Sequence, residues 1–411
     1  MKRRGIKYLP RKAILIIHRY SLKYSITTSP YMNEILKGLS KRYRVYYLSY
    51  SSEGEHLSKY VKEISLPFKL LRGDRFLFLK SALFPLLIML KLINARKIIR
   101  EKLLLAFCDD GLPYYYYIVK KVIRTKTIYR MGDHMIGYLV DPHKNFVLRV
   151  LYDVLFTLQR LTLSTVDNII VISDYMKEYL ILNGVPESKL IVVPESVDTK
   201  LFESNAIEQE RLKSLRKALN LQDNIVLLYH GSMVSWKNLD IIVKAMKLVT
   251  KKLPNIKLLM IGSGPLMKYI RSLIDRYNLA KDVILLGWIP YHEIPLYIAL
   301  SDIGIVARKK MLANDFVLTT AFLQYISMGK PALVPKLKTL VDFYKKFSLC
   351  QYLVYRPDSP VDLSSKIIRT IHEIEEIKKH IKKAQYYVRL NYSHDVIMQL
   401  MLKVLNAIIE N

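Results

Sequence analysis

The chain has 411 residues, 51% of them hydrophobic, and carries 65 Lys plus Arg against 35 Asp plus Glu, a formal net charge of +30. That length exceeds one ordinary core, so two domains are expected, and the apolar content is enough to bury both. The charge points to polyanionic partners (nucleic acid, anionic lipid headgroups or nucleotide diphosphates), and the two cysteines, Cys108 and Cys350, fit no metal or redox spacing and suit a reducing cytoplasm.

The start, Met1-Lys2-Arg3-Arg4, has the charge of a signal peptide. The apolar run that follows, Ala13 to Ile17, is too short for an h-region and reads as a first strand. No stretch approaches about 20 uninterrupted apolar residues, so no spanning helix is expected. Ser29-Pro30 then opens a helical pattern through Met32, Ile35, Leu36 and Leu39. A capping oxygen followed by proline is an ordinary helix start, and equally a place for an anion.

Arg44 to Leu48 reads as a second strand. Phe76 to Ile99 is the most hydrophobic region, flanked by Arg72, Arg75, Arg96, Lys97 and Arg100. It fits either a surface that docks on an anionic membrane or a core helix with solvated ends. Further strands fall at Leu103 to Phe107, Thr127 to Arg130 and Asn168 to Ile172, with a helix from Asp174 to Leu182. Met131-Gly132-Asp133-His134 follows the strand at Thr127. Val197 to about Asn220 reads as a crossover between domains, its charged run Glu208 to Lys217 lying on a solvated helix.

From Ile225 the pattern becomes regular. Apolar runs at Ile225 to Tyr229, Lys257 to Ile261, Val283 to Leu286, Ile303 to Ala307 and Ala332 to Val334 alternate with helical segments. Short buried strands alternating with helices make a parallel sheet covered on both faces. Three of the runs end in glycine: His230-Gly231-Ser232, Gly262-Ser263-Gly264-Pro265 and Gly287-Trp288. The carboxyl ends of such strands are where ligands bind. Beyond Tyr355, Leu363 to Ile381 and Ser393 to Ile409 have helical periodicity.

The order HGSMVSWKNLDIIVKAM, MIGSGPL, LLGWIPYHEIPLYIALSDIGIVA, FLQYISMGKPALV resembles the nucleotide-sugar-binding half of a GT-B glycosyltransferase of the large retaining family-four type. The resemblance implies an α/β chain of two doubly wound Rossmann-like domains facing each other across a cleft. Residues 1–200 would form the acceptor side, 201–386 would bind the nucleotide sugar, and 387–411 would be a helix returning to the first domain. The reaction implied is transfer of a sugar from a nucleoside diphosphate sugar to a lipid-linked or glycan acceptor. Retention, no metal and no cofactor beyond the donor substrate are also implied. With the charge, the implied setting is cytoplasmic and peripheral, on the inner face of the cell membrane.

The resemblance also assigns residues. Lys237, six residues after Gly231, stands where the family places a phosphate-binding lysine; an ordinary surface lysine is the alternative. Gly262 and Gly264 would let backbone approach the nucleotide. Gly287 and Trp288 would sit beside the base, with a core tryptophan as the alternative. Thr319 and Thr320 open a helix whose amides would hold the diphosphate. Asp133 and His134 match the residues facing the donor sugar, where a carboxylate stabilises developing positive charge and an imidazole binds a hydroxyl. A helix-capping role is the alternative for either.

Three positions depart from the family. Ser232 replaces an arginine, and a hydroxyl holds phosphate more weakly than a guanidinium. The two glutamates expected eight apart fall on Phe316 and Gln324. Gln324 still hydrogen-bonds ribose but without charge. Phe316 cannot bind a hydroxyl, leaving neighbouring Asp315 as its substitute. An active transferase with a rearranged donor site and a non-catalytic glycan- or nucleotide-binding scaffold are both consistent with these changes. Nucleic-acid binding, suggested by charge and 30 tyrosines, has no motif to support it.

Overall fold

The computed structural model describes residues 12–18, 30–48, 61–64, 92–93, 95, 99, 102–109, 116–140, 145–204 and 207–410. The chain divides into two compact units. The first comprises Met1–Val193 with Met398–Asn411, and the second comprises Pro194–Ile397.

The first unit holds seven parallel strands: β1 (Ala13–His18), β2 (Arg44–Leu48), β3 (Val61–Ile64), β4 (Leu103–Asp109), β5 (Lys126–Met131), β6 (Asn168–Val171) and β7 (Leu190–Val192). They lie in the order β3-β2-β1-β4-β5-β6-β7, with the order reversing at β1/β4. There Ile17 pairs with Cys108 and His18 with Asp109. β1 is fully buried from Ala13 to Ile17, as an all-apolar strand covered on both faces must be.

Helices of this unit used below are α1 (Pro30–Ser40), α2 (Met135–Leu139), α3 (Phe146–Thr165) and α4 (Asp174–Leu182). Only the proline of Ser29-Pro30 is described, so its anion-site reading lies outside the described residues. The same holds for almost all of Phe76 to Ile99.

The second unit repeats the design with six parallel strands: β8 (Ile225–His230), β9 (Ile256–Ile261), β10 (Val283–Gly287), β11 (Ile303–Ile305), β12 (Ala332–Pro335) and β13 (Val354–Tyr355), in the order β10-β9-β8-β11-β12-β13. Here the order reverses at β8/β11. Its helices include α5 (Gln209–Ala218), α6 (Leu239–Val249), α7 (Thr320–Ser327) and α8 (Ile374–Tyr392), and α9 (His394–Glu410) begins in it and ends in the first unit. α5 buries no residue, in keeping with its charged sequence. α6 buries seven of its positions, among them Leu239, Ile242, Val243 and Met246, spaced as a helix packed on a sheet requires.

The helical stretch expected over Leu363 to Ile381 is two helices, Pro360–His372 and α8, separated at Glu373. The backbone of Glu373 leaves helical geometry there, with φ −104° and ψ 19°. α8 contributes Ile377, Ile381, Ala384 and Val388 to the second core. The chain therefore passes back to the first unit inside α9, between Ile397 and Met398, rather than near Tyr387. In the first unit Leu402 of α9 packs against Gly38, and the Lys126 ammonium donates to the Ile408 carbonyl at 2.9 Å.

Candidate active site

The candidate site lies at the carboxyl ends of β8 to β11, beside the reversal of strand order at β8/β11, where sheets of this kind bind ligands. Its walls are loops tied to one another by backbone. The Gly231 amide donates to the Ile261 carbonyl at 3.0 Å, Met233 to Ser263 at 2.9 Å, Leu266 to Met233 at 3.0 Å and Gly262 to Gly287 at 2.7 Å. The Lys309 amide donates to the Trp236 carbonyl at 3.1 Å, bringing the β11 loop onto the β8 loop.

Glycine is required for this closeness. Gly262 and Gly264 have φ of +138° and +149°, which L side chains rarely adopt. A Cβ on Gly262 would overlap the Gly231 carbonyl, and one on Gly264 would lie 2.5 Å from the Met233 carbonyl oxygen. The side of each glycine that a Cβ would occupy is thus filled by a neighbouring loop. These two glycines hold the loops together. Gly287 also has positive φ, +73°, but open space lies where its Cβ would be. Trp288 beside it is 71% exposed, so it is not a core tryptophan.

Lys237 is half-buried beside exposed Trp236, and Ser232 is exposed. The Ser232 carbonyl accepts from the Tyr229 hydroxyl at 2.9 Å. His230, the last residue of β8, is buried, and its Nε2 lacks a hydrogen-bond partner. Burial and then the nearby Lys237 charge pull its pKa down to about 3, so the ring is neutral at pH 7. Its ring meets Tyr325 edge-on at 4.9 Å.

The β11 loop supplies residues that the sequence pattern did not single out. Arg308 is buried and donates to Asn314 Oδ1 at 2.7 Å. Asn314 Nδ2 donates to the Lys309 carbonyl at 2.9 Å. Asp315 is buried and already engaged: Lys310 Nζ lies 2.6 Å from Oδ2, and the Lys338 amide donates to Oδ1 at 2.8 Å. A carboxylate held at both oxygens is an anchor for the loop and for the helix beginning at Lys338. The sugar contact expected of Asp315 would add to these two bonds. Phe316 is wholly buried.

Thr319 caps α7, its hydroxyl accepting from the Phe322 amide at 3.2 Å, and Thr320 is exposed in the first turn. Gln324, on the same helix, is buried, and its Nε2 donates to the Tyr291 hydroxyl at 3.3 Å. Burial pushes that phenol up to about 12. In the Gly329-Lys330-Pro331 turn the lysine donates to the carbonyls of Ala299 at 3.0 Å and Ser301 at 2.6 Å.

A match to the family described as glycosyl transferases group 1 covers residues 210–387. Residues 210–387, within the second unit, are thus similar to the glycosyl transferases group 1. The fold of the whole chain is that of the GT-B glycosyltransferases. Sucrose-phosphate synthase from Thermosynechococcus elongatus matches 97% of this chain and 99% of its own, with a TM-score of 0.73 at 16% identity. Anabaena HepE in complex with UDP matches 96% of this chain and all of its own, with a TM-score of 0.72 at 14% identity.

Among curated proteins, alpha-monoglucosyldiacylglycerol synthase of Streptococcus pneumoniae is 26% identical over 229 residues, 55% of this chain. This chain spans about half the length (49%) of that relative.

In the first unit Asp133 is exposed, with the Tyr138 hydroxyl 3.4 Å from its Oδ1. His134 is wholly buried. Its Nδ1 accepts from the Gly137 amide at 3.0 Å, capping α2, and its Nε2 lies 3.2 Å from the Tyr152 hydroxyl, which in turn lies 2.6 Å from that of Tyr179. Burial lowers the His134 pKa to about 4. In a neutral ring whose Nδ1 accepts, the proton sits on Nε2, which donates to Tyr152. Both ring nitrogens are engaged, and a sugar hydroxyl would have to displace one of these contacts. Among described residues no group of His, Cys, Asp and Glu is arranged to hold a metal ion.

Proposed function

We propose that this glycosyltransferase moves a sugar from a nucleoside diphosphate sugar to a lipid-linked or glycan acceptor, with retention and without a metal, at the inner face of the cell membrane. The observation that carries the donor half is the set of glycine-locked loops at the carboxyl ends of β8, β9 and β10, within the matched family region. The HepE structure holds UDP, which supports a nucleotide donor here. The streptococcal relative is a synthase of a glucosylated diacylglycerol, which supports a lipid acceptor.

The leaving group is a diphosphate, so catalysis must meet accumulating negative charge. Lys237 and the amides of the α7 start, at Thr319 and Thr320, take that part. Arg308 supplies a guanidinium in place of the one that Ser232 lacks. Gln324 holds the ribose, Gly287 and Trp288 flank the base, and Asp133 orients the sugar. Asp315 and His134 position other groups in this scheme.

Calorimetric titration with UDP, GDP and their sugar conjugates, without added metal, tests the reading. Micromolar binding of one nucleotide supports it and names the base; no binding by folded protein overturns it. A second reading, a non-catalytic binding protein or scaffold, draws on the engaged Asp315 and buried Phe316. Measured sugar release, abolished by Lys237→Ala, would remove it.

A further inference from the structure

Helix α3 is apolar on two opposite faces. Tyr152, Phe156, Gln159 and Leu163 are buried in the first unit. At 100° per residue these four cluster on one side. Phe146, Val147, Val150, Val154, Leu158 and Leu161 cluster on the opposite side, and all are exposed, Phe146 by 78% and Leu161 by 59%. The exposed stripe runs roughly 22 Å along the axis. The only charged residues in the helix are Arg149, Asp153 and Arg160, which share one flank between the faces. An apolar stripe of this length on water is a binding surface in a soluble protein.

Three features select the occupant. A second copy would set one +30 chain against another. An anionic bilayer is complementary to that charge, and to the arginines beside the stripe. Among described residues no helix is long and apolar enough to cross a membrane, so α3 can lie on a bilayer and not span it.

We propose that the exposed face of α3 docks the first unit on an anionic lipid bilayer, with the stripe sunk to the headgroup–acyl boundary and Arg149 and Arg160 among the phosphates. This rests on the lipid-acceptor reading above and assigns its membrane contact to a surface separate from the donor-site loops.

The test is flotation of the full chain with vesicles of phosphatidylcholine and phosphatidylglycerol in equal parts. Wild type floats. The triple variant Val147→Ser/Val154→Ser/Leu158→Ser, at exposed positions, floats at least tenfold less while UDP or GDP titration is unchanged. Equal flotation of the triple variant overturns the proposal. So does wild-type protein that binds nucleotide but no vesicles, and that result leaves the donor-site reading standing. Vesicle binding without nucleotide binding supports the surface and sinks the donor reading instead. A dimer in solution that the triple variant abolishes, with no vesicle binding, reassigns the face to self-association and also overturns it. Phe146→Trp gives a readout independent of the triple variant. Brominated lipids should quench its added fluorescence relative to the parent, and no added quenching overturns the proposal.

Discussion

Gly262 leaves no room for a side chain because the Gly231 carbonyl occupies the place of its Cβ. Gly262→Ala therefore combines overlap with a backbone angle that alanine resists, and should cost about 3 kcal/mol. Gly287→Ala has the unfavourable angle but open space, and should cost only about 1 kcal/mol. Denaturant unfolding of both variants checks this. Equal losses would show that loop crowding is not what requires Gly262.

The two buried histidines make stability depend on pH. His134 and His230 have pKa values lowered to about 4 and about 3, mainly by burial. Below the ordinary value of about 6.5 the unfolded chain takes protons that the folded rings refuse. Stability is therefore complete above that pH and falls as pH drops toward 4, by at most about 1.4 kcal/mol per pH unit for each histidine. Urea unfolding at pH 7 and pH 5 should show a smaller loss for His230→Gln than for wild type. An identical loss would mean that His230 is not buried and neutral.

Lys237→Ala should weaken nucleotide diphosphate binding by about 2 kcal/mol, with the unfolding midpoint unchanged. Ser232→Arg, at an exposed position, restores a guanidinium beside it and should tighten binding by roughly tenfold. Calorimetry reads both. Unchanged affinity in Lys237→Ala would take the lysine out of the site.

Gln324→Leu leaves the half-buried Tyr291 hydroxyl without the amide that contacts it and should cost about 1 kcal/mol of stability. Nucleoside affinity should fall with it. Gln324→Glu keeps an acceptor at the same place and should preserve affinity. A leucine variant that binds as wild type does would remove Gln324 from ribose recognition.

The central strands were legible because each is a continuous apolar run, and a buried parallel strand has no other pattern. The two- to four-residue strands β3, β7 and β13 carry too little hydrophobicity to stand out, and only pairing with longer neighbours defines them. α3 is hidden in the sequence for a different reason: it is apolar over most of its circumference, so its pattern does not mark which face enters the core. At the site, Lys237 and the glycines were singled out through the family resemblance. His230, Arg308 and Asn314 could not, since their importance comes from burial and from contacts between loops. Arg308 did leave one trace, a cation directly after an apolar run. For Asp315 and His134 residue type suited the expected parts, but the sequence does not show that their hydrogen-bonding atoms are engaged within the protein.

The first unit is discontinuous, since residues 398–411 belong with 1–193. On the ribosome the sheet of β1 to β7 is made early, yet the helix that covers Gly38 and accepts from Lys126 is made only after all of the second unit. The second unit is continuous and has all its strands before that point. The order of synthesis and the order of completion are thus reversed. The domain made first waits for the one made second, exposing a patch beside α1 and β5 that chaperones would meet. A fragment ending at 193 would keep that patch exposed permanently.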